Sequence, residues 1–260
     1  VPLLLGSIGR DEYGMYQLIG SIMAYVISIN GVLSAGVGRF YCKYIAEGDR
    51  EKAENTLAIS RRIYWIMSVL ALLAVGILTV IFRIVYSSSF TSAQIEECTG
   101  MLLVLGINTV VTMNNTVSIA AITAHERFVF LKLSSLVVLI AQPILVIFFT
   151  GFFPNALTVT VVILAMNAAC AGVQSLYRGN ILKVGRNYYG WDSRLAKALL
   201  SFSGAIVMVT LADQIFWKTD QLIVGYMFGA GSVAVYAVGA QIYQMYMNIG
   251  TAAGAIFLPR

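Results

Sequence analysis

Charged residues are scarce in this 260-residue chain: Asp, Glu, Lys and Arg make up 11% of it, while hydrophobic residues make up 59%. A soluble domain of this length could not bury so much apolar side chain, so the composition excludes a soluble globular protein. The chain has one histidine, three cysteines and no Cys-x-x-Cys motif, so neither a disulfide framework nor a metal site is predicted. The composition predicts an all-α integral membrane protein.

The basic residues give a formal net charge of +5, but they are spread over short segments between apolar runs. No compact basic domain is present that would hold nucleic acid. The stretch "GVGRF", residues 36–40, lacks the further Gly and Lys that a phosphate loop requires. We therefore expect no nucleic-acid partner and no cofactor.

Apolar runs recur along the chain, and most are close to the roughly 20 residues that a membrane-spanning helix needs. They are Val1–Ser7 (the tail of a first helix), Tyr16–Val37, Tyr64–Tyr86, Gly100–Thr123, Phe128–Phe149, Ala156–Tyr177, Gly204–Phe228 and Val233–Leu258. The first run begins abruptly at Val1, and the last residues, "GAIFLPR", stop as abruptly. We expect a fragment of a larger protein, with about eight spanning helices.

Lysine and arginine are divided unevenly between the connections. Those after the second, fourth and sixth helices hold thirteen: Arg39, Lys43, Arg50, Lys52, Arg61, Arg62, Arg127, Lys132, Arg178, Lys183, Arg186, Arg194 and Lys197. The alternate connections hold two, Arg10 and Arg83. Because cytoplasmic loops are enriched in basic residues, the first set is predicted to be cytoplasmic in a multi-pass protein of the cytoplasmic membrane.

Two connections have a helical pattern of their own. Tyr44–Arg62 mixes both charge signs at helical spacing, which predicts a solvated or interfacial helix leading into the third span. Trp191–Gly204 sets apolar residues against charged ones, which predicts a helix lying at the cytoplasmic interface. We therefore divide the chain into an N-terminal six-helix bundle (1–183), an interfacial linker (184–203) and the start of a second bundle (204–260).

The pattern "LLGSIGRDEYGMYQLIG" near the start returns as "IVGYMFGAGSVAVYAVG" near the end. Gly6 pairs with Gly225, and Gly9 pairs with Gly229, at offsets of 219 and 220 residues. The seventh and eighth helices would then restart what the first and second began. Since six helices separate the copies, the repeat is parallel, with any substrate path between two bundles.

The stretch "ADQIFWKTDQLIVG" places Asp213, Lys218 and Asp220 inside the seventh span. Charges within a span are costly and usually face protein or water. Asp213 and Asp220, seven residues apart, share a helix face, whereas Lys218 lies on another. Lys218 would then have a partner on another helix or serve a ligand.

With "GVGRFYCKYIAEGDREKAEN" and "KTDQLIVGYMFGAGSVAVYAVG", the repeated pattern resembles the oligosaccharide flippases of polysaccharide biosynthesis. These share a superfamily with lipid II flippases and multidrug and toxin extrusion transporters. The resemblance implies 12 to 14 helices in two bundles that form a V. Such a protein moves a polyprenyl-pyrophosphate-linked oligosaccharide to the outer leaflet by alternating access. The resemblance also implies membrane lipids and polysaccharide assembly proteins as partners.

A pyrophosphate in a membrane cavity needs cationic partners. Lys218 is the best candidate, Arg39 and Arg260 would collect the headgroup at the inner mouth, and Arg10 and Arg83 would lie near the outer mouth. Snorkelling to the interface is the alternative for Arg39, Arg83 and Arg260, and packing is the alternative for Lys218. Asp213 and Asp220 are candidates for binding a coupling proton or sodium ion.

Asn108, Thr112, Asn115 and Ser118 recur at helical spacing in the fourth span, where they would either line a polar cavity or bond neighbouring helices. A multidrug extrusion antiporter and a lipid II flippase are alternatives within the superfamily. A membrane polymerase or glycosyltransferase is a third, disfavoured because the outer connections are short and hold few candidate catalytic groups. We therefore predict a transporter and no enzyme.

Overall fold

The computed structural model describes residues 2–185 and 187–257, without the side chains of residues 2, 29–35, 202–207, 249 and 252–257. Every regular element in these ranges is helical. The α-helices are α1 Pro2–Ile8, α2 Arg10–Ala46, α3 Arg50–Val85, α4 Ser92–Ala124, α5 Phe128–Thr150, α6 Ala156–Leu176, α7 Ser193–Phe228 and α8 Ala230–Phe257. A π-helical segment, Tyr177–Leu182, continues α6.

Within the described residues, four helices are long and apolar enough to cross a membrane: α3, α4, α5 and α6 with its π-helical continuation. Helices α2, α7 and α8 have 37, 36 and 28 residues, each longer than a span requires. Large apolar side chains such as Ile84 and Leu139 are 70% and 72% exposed, as expected where a helix faces lipid. The predicted all-α polytopic membrane fold is confirmed.

The connections alternate between two ends of the molecule. The basic end holds the connections 47–49, 125–127 and 183–192. The acidic end holds Gly9, Gly229 and the connections 86–91 and 151–155, together with Asp11, Glu12, Glu96 and Glu97. This alternation is the one that the distribution of lysine and arginine predicts, with the basic end expected in the cytoplasm.

Side-chain caps mark where several helices begin. Asp49 accepts a hydrogen bond from Lys52 N (3.0 Å) before α3, and Asn155 accepts one from Thr158 N (2.9 Å) before α6. Thr91 and Gln94 form a reciprocal capping box at α4, and Asp192 accepts from Arg194 N and Leu195 N at α7. Such oxygen acceptors satisfy first-turn amides that have no partner within the helix.

The segment Tyr44–Arg62 differs from its prediction. Its first residues end α2, and from Arg50 onward it belongs to α3 without a break. One face of it is buried: Glu54 is 4% exposed and accepts hydrogen bonds from Gly185 N (2.9 Å) and Asn187 N (3.3 Å). The segment is therefore not fully solvated, because its acid holds the backbone that follows α6.

The predicted interfacial helix over Trp191–Gly204 is not a separate element either. Helix α7 begins at Ser193 and runs through Gly204 to Phe228. Leu195 and Leu199 are 6% and 1% exposed and belong to the main hydrophobic core. The apolar face of this segment thus packs on protein, whereas the sequence pattern alone was interpreted as facing the membrane surface. The three-part division of the chain stays a prediction.

Helix α2 is central and packs against α3, α4, α7 and α8. At the acidic end its approach to α8 is close, because a Cβ on Gly14 would lie 1.8 Å from the carbonyl oxygen of Ala230. Gly9 and Gly229, which match in the repeat, join α1 to α2 and α7 to α8 with φ of 86° and 74°. Glycine adopts such angles without steric cost. The two copies therefore have the same local structure.

Candidate substrate cavity

A cavity of about 1080 Å³ lies between α7, α8 and the first half of α2. Its lining residues are amides, aromatic residues, charged residues and a few small or apolar ones. They are Gln17, Asp213, Gln214, Phe216, Trp217, Lys218, Asp220, Gln221, Val235, Tyr236, Ala237, Gly239, Ala240, Gln241, Tyr243 and Gln244. The volume is large enough for a ligand of drug size or above.

All three charged residues predicted in the seventh span line this cavity: Asp213, Lys218 and Asp220. Side chains from both predicted faces of α7, that of the two aspartates and that of Lys218, thus contribute to one cavity. Asp220 Oδ2 accepts a hydrogen bond from Tyr236 Oη on α8 (2.7 Å). Within the described residues, Lys218 is half-buried and has no ion-pair partner.

Tyr13 on α2 is 1% exposed and holds the amides of the cavity wall in place. Its hydroxyl accepts hydrogen bonds from Gln17 Nε2 (2.8 Å) and Gln241 Nε2 (2.9 Å). Two further bonds join α2 to α7: Ser21 Oγ to Gln221 Oε1, and Tyr25 Oη with Thr219 Oγ1. The amides are therefore fixed at one end while the rest of each group faces the cavity.

The wall that α8 contributes was not predicted from the sequence. Tyr236 and Tyr243 are seven residues apart and Gln241 and Gln244 three apart, so each pair recurs at helical spacing. Polar residues repeated on one face of a span are the signal that would have found this wall. Gln17 on α2 has no comparable signal, because its position depends on how α2 packs against α8.

Aromatic rings lie on the same cavity. The Trp217 and Tyr243 rings have centroids 5.5 Å apart at 36°, and Phe216 meets Trp217 edge to face at 5.1 Å. Trp217 is 37% exposed and Tyr243 is 49% exposed. The two rings thus leave apolar faces open beside amides, carboxylates and one amine.

Comparison with protein families shows a match along almost the whole sequence. Residues 1–259 match the family model described as "Polysaccharide biosynthesis protein". The chain belongs to this family. No curated protein matched.

A solved structure with a similar fold is the inward-facing conformation of a multidrug resistance MATE family transporter of the MOP superfamily. The two share 16% identity with a TM-score of 0.68, and the match covers 94% of this chain. The chain spans 56% of the length of that transporter. The chain therefore shares the fold of that transporter, and the predicted polysaccharide biosynthesis family is confirmed.

The polar residues predicted in the fourth span do not line this cavity. Asn108 Oδ1 accepts from Asn167 Nδ2 (2.8 Å), and Asn115 Nδ2 donates to Gln174 Oε1 (2.8 Å). Thr112 Oγ1 donates to the carbonyl of Thr109 (3.0 Å), and Ser118 is 2% exposed. Of the two predicted uses, bonding within and between helices is the one observed, because the polar face of α4 meets α6 and not the cavity.

The predicted arginines lie apart from the cavity where they are described. Arg10 Nε donates to the carbonyl of Gly231 (2.9 Å) and Arg83 Nε to Thr99 Oγ1 (3.2 Å), so both bond other parts of the acidic end. Arg39 is exposed near the basic end of α2. Arg260 lies outside the described residues.

Two carboxylates hold the first turn of α6 at the acidic end. Glu12 Oε2 accepts from Ala156 N (2.7 Å), and Glu97 Oε1 accepts from Leu157 N (3.2 Å). The pKa of Glu12 is raised to about 7, because burial and the neighbouring Glu97 raise it by more than the Ala156 amide lowers it. These pairs were not predicted from the sequence, because their members lie far apart in the chain.

Proposed function

We propose that this chain forms part of a flippase that moves a polyprenyl-pyrophosphate-linked oligosaccharide across the cytoplasmic membrane by alternating access, for cell-surface polysaccharide export. The observation that carries the proposal is Lys218, an amine in a large cavity with no ion-pair partner among the described residues. A buried or half-buried charge without a partner is unfavourable unless a ligand supplies one. A pyrophosphate supplies several charged oxygens, and lysine is a common phosphate-binding residue.

The rest of the wall supports the same substrate class. Sugars present hydroxyl groups that donate and accept hydrogen bonds, and the glutamines of the cavity offer both functions on each side chain. The lipid tail has no need of a polar site, because it stays in the bilayer. On this proposal the protein performs no covalent chemistry, so it is a transporter and not an enzyme.

The test is flipping by the full-length protein in cells that lack their own flippase, at matched membrane expression. We expect Lys218→Ala to lose at least about tenfold in transport, as one charge-assisted contact of 1.5–3 kcal/mol implies. Lys218→Arg should restore most of it by keeping the charge. Lys197 is an exposed amine on the same helix outside the cavity, so Lys197→Ala is the control and should behave as wild type. Unchanged transport in Lys218→Ala would refute this role.

A second candidate function is extrusion of cationic compounds, and one observation favours it. The cavity holds two carboxylates, Asp213 and Asp220, against one amine, with four aromatic rings around them. Cations bind to carboxylates and to aromatic faces. If this candidate is right, the full-length protein will lower ethidium accumulation in cells and Asp213→Asn will abolish the effect, while oligosaccharide flipping will be absent.

A further inference from the structure

We infer that Trp217 and Tyr243 form a stacking subsite for one pyranose ring of the substrate, the sugar next to the pyrophosphate. The inference rests on the proposed function and adds to it the group that the aromatic wall recognises. The two rings lie on different helices, α7 and α8, and meet at 5.5 Å and 36°. They therefore form a joint apolar wall that neither helix has alone.

The depth of these rings argues against an interfacial anchor. Trp217 precedes the end of α7 at Phe228 by about 16 Å, and Tyr243 follows the start of α8 at Ala230 by about 20 Å, at 1.5 Å per residue. Aromatic belts lie at the two membrane interfaces, and the hydrocarbon core is about 30 Å thick. Both rings also line the cavity. Their surroundings are thus those of a binding wall.

The chemistry of the wall fits a sugar ring. A pyranose has an apolar face of C–H groups that packs on an aromatic ring, and hydroxyl groups around its rim. Gln214, three residues before Trp217, and Gln244, directly after Tyr243, line the same cavity. Gln244 Nε2 donates to Asn248 Oδ1 (3.3 Å), which holds the amide beside the ring. Apolar faces flanked by amide donors and acceptors match both parts of a sugar.

The position of Lys218 decides which sugar is bound. Lys218 lines the same cavity as the two rings, so with the pyrophosphate bound to the amine, the sugar attached directly to it is the one held within reach of the aromatic wall. In a lipid-linked oligosaccharide this is the first sugar.

The experiment measures flipping by the full-length protein in proteoliposomes with two probes, undecaprenyl pyrophosphate and undecaprenyl-pyrophosphate-linked N-acetylglucosamine. We expect wild type to move the sugar-bearing lipid faster. Trp217→Ala and Tyr243→Ala should each slow the sugar-bearing lipid about five- to tenfold, the loss expected for a stacked ring, and leave the sugar-free lipid within about twofold. Trp217→Phe should recover part of the rate, because it keeps an aromatic face.

Tyr246→Ala is the matched control, since Tyr246 is 73% exposed on α8 and does not line the cavity. It should leave both rates unchanged. Equal slowing of both lipids by Trp217→Ala, or no slowing of either, overturns the subsite while the flippase proposal stands. If wild type moves neither lipid, the flippase proposal itself fails and the subsite fails with it.

Discussion

The interior of the N-terminal bundle and the α7–α8 wall use the same polar residue types in different ways. Inside the bundle, Gln174 accepts from Asn115 and donates to Ser134 Oγ (2.9 Å), so it joins α4, α5 and α6. On the wall, Gln244 is exposed and faces the cavity. An amide in a spanning helix therefore either bonds helices together or contributes to a site, and its partners decide which.

The largest expected effect concerns the place where the two regions meet. Gly14 lies so close to Ala230 that a Cβ would be 1.8 Å from its carbonyl oxygen. We expect Gly14→Ala to lower the free energy of unfolding by about 3 kcal/mol, near the upper end for overpacking. Gly20 on the same helix has nothing within 4 Å of its Cβ position. SDS titration in detergent measures both variants, and Gly20→Ala should match wild type. Equal stability of all three proteins would show that α2 and α8 do not pack in this way.

The next prediction changes one glutamine in each region. Gln174 is 3% exposed, and Gln174→Ala removes the acceptor of the half-buried Asn115 Nδ2 and the donor to Ser134 Oγ, which keeps its bond to the Leu131 carbonyl. We expect a loss of about 2 kcal/mol in the free energy of unfolding. Gln244→Ala should change it by less than about 0.5 kcal/mol, as for other exposed sites. The same SDS titration compares them. The contrast between the two regions fails if Gln244→Ala is the more destabilising change.

A smaller effect is expected for a single interhelical bond. Asn108 and Asn167 join α4 to α6 at 2.8 Å, and such bonds within membranes contribute about 0.6 kcal/mol in double-mutant cycles. A cycle with Asn108→Ala, Asn167→Ala and the double variant should give a coupling energy near this value. Strict additivity of the two single changes would contradict the bond.

The last prediction concerns a dependence of stability on pH. Because the pKa of Glu12 is raised from 4.5 to about 7 in the fold, the folded protein binds this proton more tightly than the unfolded chain. The contribution is complete below about pH 4.5 and is lost as the pH rises through 7. We expect wild type to lose stability between pH 5 and pH 8, and Glu12→Gln to lose less. Unfolding at four pH values within this range measures the slopes. Glu96→Gln, at an exposed acid on α4, should keep the wild-type slope.

Much of the fold could be predicted from the sequence, because spans depend on local composition and sidedness depends on loop charge. The charged residues of α7 were also predicted, because a charge within an apolar run can be recognised from the local sequence alone. The α8 wall and the role of Asn108 could not be assigned with certainty from periodicity. Spacing shows which residues share a face, but the neighbour that covers that face is set by tertiary packing. Tertiary packing also explains why α3 and α7 extend beyond their predicted spans. Glu54 and Leu199 in these extensions contact residues that are distant in the sequence.

The hydrogen bonds that join the acidic ends of the two regions have one feature in common. Arg10, Tyr86 and Ser89 all donate from side chains to main-chain carbonyl groups, those of Gly231, Leu222 and Tyr226. Every residue type supplies such a carbonyl. The bond itself therefore does not depend on which residue stands at an acceptor position, although a Cβ at Gly231 would lie 2.7 Å from Asp11 Oδ1. The donor positions on α2 and directly after α3, in contrast, need their own side chains. The contact between the two regions can thus be kept while other residues on the surface of α7 and α8 change.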